Sequence, residues 1–384
     1  VKVKILSSTN PVLQLAFEEI AKRLDEKPDF ALISISPLYP AQDVPYCIEK
    51  ILGLERDKYL GFNAVDAFEN TNIIATGVVA CFLWFEGKGG VKLHYFPNID
   101  KRLANKKFLN EVISVFSNHS SDLNIIIADY THGLFPLFFG KISASLDKEN
   151  INTSNICGGI ISTKEKFPSY IFVAGKVLRN SFSIVSFENV KFEMGLSTGI
   201  FKRGPIYTIT SGKGFFIYEF DNKPAGFLPK ILLRGIEKGK KEYLWYTPLV
   251  IMNDEGELLA LRTFKDFTDR YVEVWAPIEK GQKVKLAIVI PDEILRDTEM
   301  VAQSVKEKIG FTELVLNFSC IARQYTLEDR AQEEVEIYGK KLNAPIFGFF
   351  TCGEIALGIH GKKLKLHNQT SVVVALREER KNEG

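Results

Sequence analysis

The sequence predicts a mixed α/β protein of two domains, each a largely antiparallel sheet layered with helices. Three observations carry that reading. A chain of 384 residues exceeds the roughly 150 that one domain usually holds. Short apolar runs that stop at polar residues alternate with amphipathic stretches, as where Phe30–Ser36 precedes Ala41–Leu54. Other regions, 169–210 and 243–275, carry strand after strand with no need of a helix.

In order, Val1–Leu6 alternates like a strand, and Ser7-Ser8-Thr9-Asn10-Pro11 has the capping side chains and early proline of a helix start. Leu13, Ala16, Ile20 and Leu24 follow at helical spacing. Phe30–Ser36 reads as a strand, Ala41–Leu54 as a helix and Tyr59–Asn63 as a short strand containing Gly61. Ile73–Phe85 and Gly90–Phe96, joined by Glu86-Gly87-Lys88-Gly89, make a hairpin candidate. Lys107–Phe116 is an amphipathic helix, Leu123–Ala128 a strand ending at Asp129, and His132–Leu146 a helix before the glycine-bearing strand Ile156–Ile161. Tyr207–Thr210 and Phe215–Phe220 flank a turn at Ser211-Gly212-Lys213-Gly214, and a short helix is expected at about 225–235. A boundary falls near 205–225, dividing the chain into 1–210 and 211–384. Further strands lead to Val284–Val289 and the helix Asp292–Ile309.

One pattern recurs: strand, polar stop, helix, then a short strand containing glycine, at 30–62, 123–161 and 314–350. From stop to glycine the spacing is 25 residues for Ser36 to Gly61, and 29 for both Asp129 to Gly158 and Ser319 to Gly348. Duplication and recurrent architecture both account for it.

Composition excludes several classes. Hydrophobic residues make up 46% and charged residues 25%, with a net charge of +2, as in an ordinary soluble protein. The 29 phenylalanines fit a dry, strand-rich core. Charge runs such as 237–242 and 377–381 are mixed in sign, so the one-signed stripe of a nucleic-acid groove is missing. Five cysteines, at 47, 81, 157, 320 and 352, form no C-x-x-C pair, disulfide framework or zinc ribbon, and fit a reducing cytoplasmic setting. No leader-like segment opens the sequence, and its longest apolar run, Thr76–Phe85, is about half the roughly 20 residues a membrane span requires. There is no dinucleotide or P-loop motif. The expectation is a cytoplasmic protein without cofactor, metal, nucleic acid or membrane insertion.

The most informative stretch is Leu314–Thr370. Two apolar runs stop at small polar or thiol residues, Leu314–Phe318 at Ser319-Cys320 and Pro345–Phe350 at Thr351-Cys352-Gly353-Glu354. Open α/β sheets bind ligands at such strand ends. These residues, with Arg323 three positions past Cys320, the Gly348-Phe349-Phe350-Thr351-Cys352-Gly353-Glu354-Ile355 element, and Leu366-His367-Asn368-Gln369-Thr370, resemble the FIST family. Tyr218–Ala225 is similar to the element that opens the family's C-terminal domain, while the N-terminal half matches in layout through Leu60–Ala64 and Cys157-Gly158-Gly159. The resemblance implies tandem N- and C-terminal domains and an intracellular sensory module of signal transduction that recognises small molecules such as amino acids. Any output would then come from a separate partner protein.

Read as chemistry, Arg323 could grip a carboxylate bidentately and Glu354 could accept from an ammonium, with Gly353 letting backbone approach the ligand. Alternatively Arg323 and Glu354 pair with each other. Cys320 and Cys352 are pocket floor, nucleophiles or inert packing, and with His367 a metal set lacks close paired spacing. Arg262 is a second anion-binding candidate, against a surface ion pair with Asp266 or Asp269. His367 and Asn368 either hydrogen-bond turns or touch ligand, and Phe349 belongs to the same candidate pocket. The reading reached is a small-molecule sensor, with no residue assigned to catalysis. Its rivals are a cysteine-dependent hydrolase or amidase and an interaction scaffold.

Overall fold

The computed structural model describes residues 1–117, 121–163, 167–234, 241–360 and 363–379. Parts of the mixed-charge runs, 237–240 and 380–381, lie outside them, as does residue 235 of the short helix expected there.

The mixed α/β class holds, and its body follows one plan three times. The first unit comprises β1 (Lys2–Ser8), α1 (Leu13–Ala21), β2 (Phe30–Ile35), an irregular helical run around α2 (Val44–Tyr46), β3 (Tyr59–Asn63), a hairpin of β4 (Ala67–Glu69) and β5 (Asn72–Ile74), and β6 (Val78–Trp84). The second comprises β7 (Gly90–Phe96), α3 (Ile99–Arg102), α4 (Lys106–Ser117), β8 (Leu123–Ala128), α5 (Leu134–Lys148), β9 (Ile156–Ile161), a hairpin of β10 (Ile171–Val173) and β11 (Lys176–Leu178), and β12 (Phe182–Glu188).

The third begins with β13 (Val190–Ser197) and is interrupted by an insert. That insert holds β14 (Ile200–Phe220), β15 (Lys223–Pro224), α6 (Phe227–Leu232), β16 (Leu249–Met252), β17 (Leu258–Arg262), β18 (Phe264–Phe267), β19 (Val272–Ile278) and β20 (Lys283–Val289). The unit resumes with α7 (Pro291–Ile309), β21 (Leu314–Cys320), α8 (Ile321–Leu327), α9 (Ala331–Leu342), β22 (Ile346–Leu357), β23 (Leu364–His367) and β24 (Ser371–Glu378).

Each unit orders its strands first, last, second, third: β1-β6-β2-β3, β7-β12-β8-β9 and β13-β24-β21-β22. The second and third strands pair in parallel (β2 with β3, β8 with β9, β21 with β22), and these are the three recurrences seen in the sequence. The units also exchange strands in a ring. Hairpin β4–β5 lies on β22, β10 lies on β3, and the far half of β22, which carries β23, pairs with β9. The expected division at 210/211 falls inside β14, while β13, from the N-terminal side, pairs along its whole length with β24.

Packing follows from this arrangement. The inner faces of all three units meet in one apolar core that includes Leu32, Phe62, Ile125, Leu316 and Phe349. The outer faces are covered by α1 with the irregular run, by α4 and α5, and by α7 and α9. Two glycines are required where the parallel strands meet. A Cβ on Gly158 or Gly348 would stand 2.0 Å from the carbonyl oxygen of Ile126 or Asn317, the residue each faces across the ladder.

Two local expectations change. β6 and β7 do not form a hairpin, because β6 pairs with β1 and β2 while β7 pairs with β12 in another sheet. The connecting glycine-rich segment is tied down instead by Glu378, which accepts from the N–H groups of Glu86, Gly87 and Gly89 at 2.7–2.9 Å. The capping residues at 7–10 do not cap: α1 starts at Leu13, and Ser8 donates to Glu19 from a strand position. The turn expected at 211–214 is kept within β14, whose two flanks meet where Thr208 and Asp221 exchange hydrogen bonds of 2.8 and 3.0 Å.

Candidate functional site

The site lies at the C-terminal ends of β21 and β9 and along the middle of β22, where the insert folds over the second and third units. β21 ends at Cys320, whose extended backbone caps α8. Across the parallel ladder Cys320 faces Thr351, and Gly159 leaves room for the methyl of Thr351, which a Cβ there would meet at 2.5 Å. The pairing of β22 with β9 then slips between Thr351 and Gly353. Cys352 is the extra residue of that bulge, and bulges re-aim side chains beside sites. The thiols of Cys320 and Cys352 thereby reach one cavity of about 580 Å³.

Beneath Cys320 lies the fully buried carboxyl of Glu354. It accepts from Thr351 Oγ1 at 2.5 Å, Thr370 Oγ1 at 2.8 Å and the Thr370 N–H at 3.2 Å. Burial raises its pKa to about 8, against the opposing pull of the threonine and Cys320 donors. Burial and the neighbouring Glu354 push the Cys320 thiol well above its ordinary range, so it is not poised as a thiolate.

The walls come from elements the sequence reading did not connect with the site. Trp245 stands in a 3-10 stretch, Lys241–Tyr246, its indole N–H donating to the Phe264 carbonyl at 3.1 Å and its own carbonyl held by the Gln369 side chain. Tyr325 on α8 meets Trp245 edge-on at 5.1 Å between ring centroids. Trp275 on β19 packs edge-on against Tyr130 at 5.7 Å. Asn368 accepts from the Thr263 N–H at 3.4 Å and donates to the Cys352 carbonyl at 3.3 Å. Beyond Trp275 and Cys352 a second cavity of about 370 Å³ continues the cleft, lined by Asp129, His132, Ser169 and Arg179 among others. The signal that could have found the aromatic wall is that two of only three tryptophans fall in the insert.

Of the expected residues, Cys320, Cys352 and Asn368 line the cavity, with Thr351 and Glu354 packed directly behind Cys320. Gly353 is buried in β22, close against Leu366 and His367. Four others lie elsewhere. Arg323 turns away, fully buried, and forms an ion pair with Glu334 at 2.5 Å, not with Glu354. Its remaining donors reach the Ser197 and Thr198 carbonyls and the hydroxyls of Ser197 and Thr298, so it staples α8 to α9, α7 and β13 and cannot grip a ligand. Phe349 is core, 4.8 Å from Phe62 and 5.7 Å from Phe318 between ring centroids. Arg262 donates to the carbonyls of Pro277, Leu261 and Leu366, while Asp266 and Asp269 pair with Lys241 and Lys230. His367 is fully buried with Nε2 on the Leu357 carbonyl, and burial together with Arg262 depresses its pKa to about 3. Among the described residues no cluster of three or more His, Cys, Asp or Glu side chains could hold a metal, and no helix is long and apolar enough to cross a membrane.

Comparison with known proteins matches the FIST N domain over residues 55–223 and the FIST C domain over 230–357. Leu366–Thr370 lies beyond the matched residues. The chain is also 30% identical over 262 residues to an uncharacterised protein of Aquifex aeolicus (strain VF5), covering 66% of this chain and 96% of that one. With both domain models matched in tandem, the chain belongs to the FIST family, whose domains are sensory domains of signal transduction.

Proposed function

We propose that the protein senses a small molecule bound in the cleft between the second unit, the third unit and the insert, and passes the signal to a separate output protein. The observation that carries this reading is the cavity of about 580 Å³, walled by Trp245, Trp275 and Tyr325 and floored by Cys320 and Cys352. Ligand sites are concave and mostly apolar, with a few polar groups to fix orientation. Thr263 also lines the cavity, and its Oγ1 is buried with no hydrogen-bond partner among the described residues. Ligand bound there would bridge the insert to the body, which gives a route from occupancy to a change in surface. An amino-acid ligand would have to find its carboxylate partner somewhere other than Arg323, which is committed to Glu334.

The test is a thermal-shift screen of metabolites on the wild type and on Trp275→Ala. A ligand that binds only the native state raises its stability by RT ln(1 + [L]/Kd), about 2.7 kcal/mol at a hundredfold excess over Kd. The expected result is a saturable rise in Tm that Trp275→Ala abolishes. A rise retained in full by Trp275→Ala would place the ligand elsewhere.

A second reading, a cysteine-dependent hydrolase, is favoured by one observation: Cys352 and His132 line the same second cavity. A mild thiol electrophile at neutral pH distinguishes the two. Fast labelling of Cys352 that His132→Ala slows would support the hydrolase, and uniformly slow labelling of all five thiols would support the sensor.

A further inference from the structure

The charge environment of the cavity narrows its ligand class. Among the described residues that line it, Glu242 at the mouth is charged and none is Lys, Arg or His. The cationic side chains nearby are committed elsewhere. Lys241 is paired with Asp266. Arg262, adjacent to Thr263, is bound to backbone carbonyls on the far side of its strand. Lys265 pairs with Glu273 at 3.0 Å while its ammonium sits 5.0 Å from the Trp275 ring centroid. Trp275 therefore already receives a cation on its ring within the native fold.

Three aromatic rings, a carboxylate at the entrance and no cation on the lining suit a positive charge. The negative faces of tryptophan and tyrosine attract ammonium groups, and the attraction strengthens as water is excluded. An anion would meet the Glu242 carboxylate at the entrance and no Lys, Arg or His among the described lining residues.

We propose that this cavity selects a small organic cation, an amine or quaternary ammonium on a compact apolar or planar body, over neutral and anionic molecules of the same shape. The positive charge lies among Trp245, Trp275 and Tyr325 and toward Glu242. The inference rests on the reading of the cleft as a ligand site and adds the sign of the charge.

The experiment is a tryptophan-fluorescence titration with a charge series of similar shape: 2-phenylethylamine, 2-phenylethanol and 3-phenylpropanoate, with choline as an aliphatic cation. The amine is expected to bind at least about tenfold more tightly than the alcohol, with the carboxylate weakest. Glu242→Gln, an exposed substitution that leaves packing intact, should weaken the amine several-fold and leave the alcohol unchanged. Alcohol or carboxylate binding as tight as the amine, lost in Trp275→Ala, would overturn the charge assignment and leave the ligand site standing. If no member of the series binds while a neutral or anionic molecule binds in a Trp275-dependent way, the charge assignment also falls. A blank result across both the series and the wider metabolite screen would remove the ligand site itself.

Discussion

Arg323 commits all its N–H groups to protein acceptors, and Glu334 is fully buried beside it. Removing one partner of such a pair leaves an uncompensated charge, so Arg323→Ala should cost about 3–5 kcal/mol in chemical denaturation. The double variant Arg323→Met with Glu334→Leu should recover most of that loss. Glu354 makes a prediction of the opposite kind. Its folded pKa, about 8, lies above the ordinary 4.5, so the folded state holds its proton after the unfolded chain has lost it. Stability from this group is therefore greatest below about pH 4.5 and falls as pH rises to about 8, by at most about 1.4 kcal/mol per pH unit. Denaturation midpoints across that range should lose this downward slope in Glu354→Gln. At this scale the sequence singled out Cys320, Cys352 and Asn368, which do meet, but it read Cys352 as a strand end, whereas β22 runs on to Leu357 with Cys352 at an internal bulge. It did not show that Arg323 faces inward, because the partner that decides this, Glu334, comes from a separate helix that folds back over α8.

The parallel strand pairs depend on glycine at matched register. Gly158→Ala or Gly348→Ala would drive a Cβ to 2.0 Å from a backbone carbonyl, which side-chain movement cannot relieve. Each should cost about 2–4 kcal/mol or abolish folding, measured by thermal unfolding. Gly61→Ala, whose new atom would meet side-chain carbons at 3.1–3.3 Å, should cost less. The equal 29-residue spacing of the second and third recurrences was therefore a legible constraint, with the glycine as its mark. The expected hairpin at 73–96 misled because apolar runs flanking a glycine turn look alike whether the strands pair with each other or part into two sheets. β6 pairs with β1 and β2 and β7 with β12, and the segment between them is tied down by Glu378, almost 300 residues away, which no local pattern reports. Phe349 misled for a related reason: Ile346–Phe350 is buried on both faces, so alternation cannot tell core from cleft.

Across the whole molecule, the three units close on one another through β4, β10 and the far half of β22, and β13 pairs with β24. A fragment ending at residue 210 would lose β21, β22 and β24, uncovering β9 and the inner face of the core. It is expected to fail to fold alone, read as loss of near-ultraviolet circular dichroism, whereas the full chain should show coincident transitions by separate probes. The fold class and the recurring units were legible from periodicity. The ring of exchanged hairpins and the aromatic wall donated by the insert were not, because both rest on contacts between distant segments. That wall also makes the central claim directly measurable. In Trp84→Phe the remaining tryptophans, Trp245 and Trp275, both line the cavity. Titrating this variant with a molecule that raises Tm should change its fluorescence saturably, with the same Kd that the thermal shift gives. A raised Tm with unchanged emission would contradict the account, since the ligand would then sit away from the cleft.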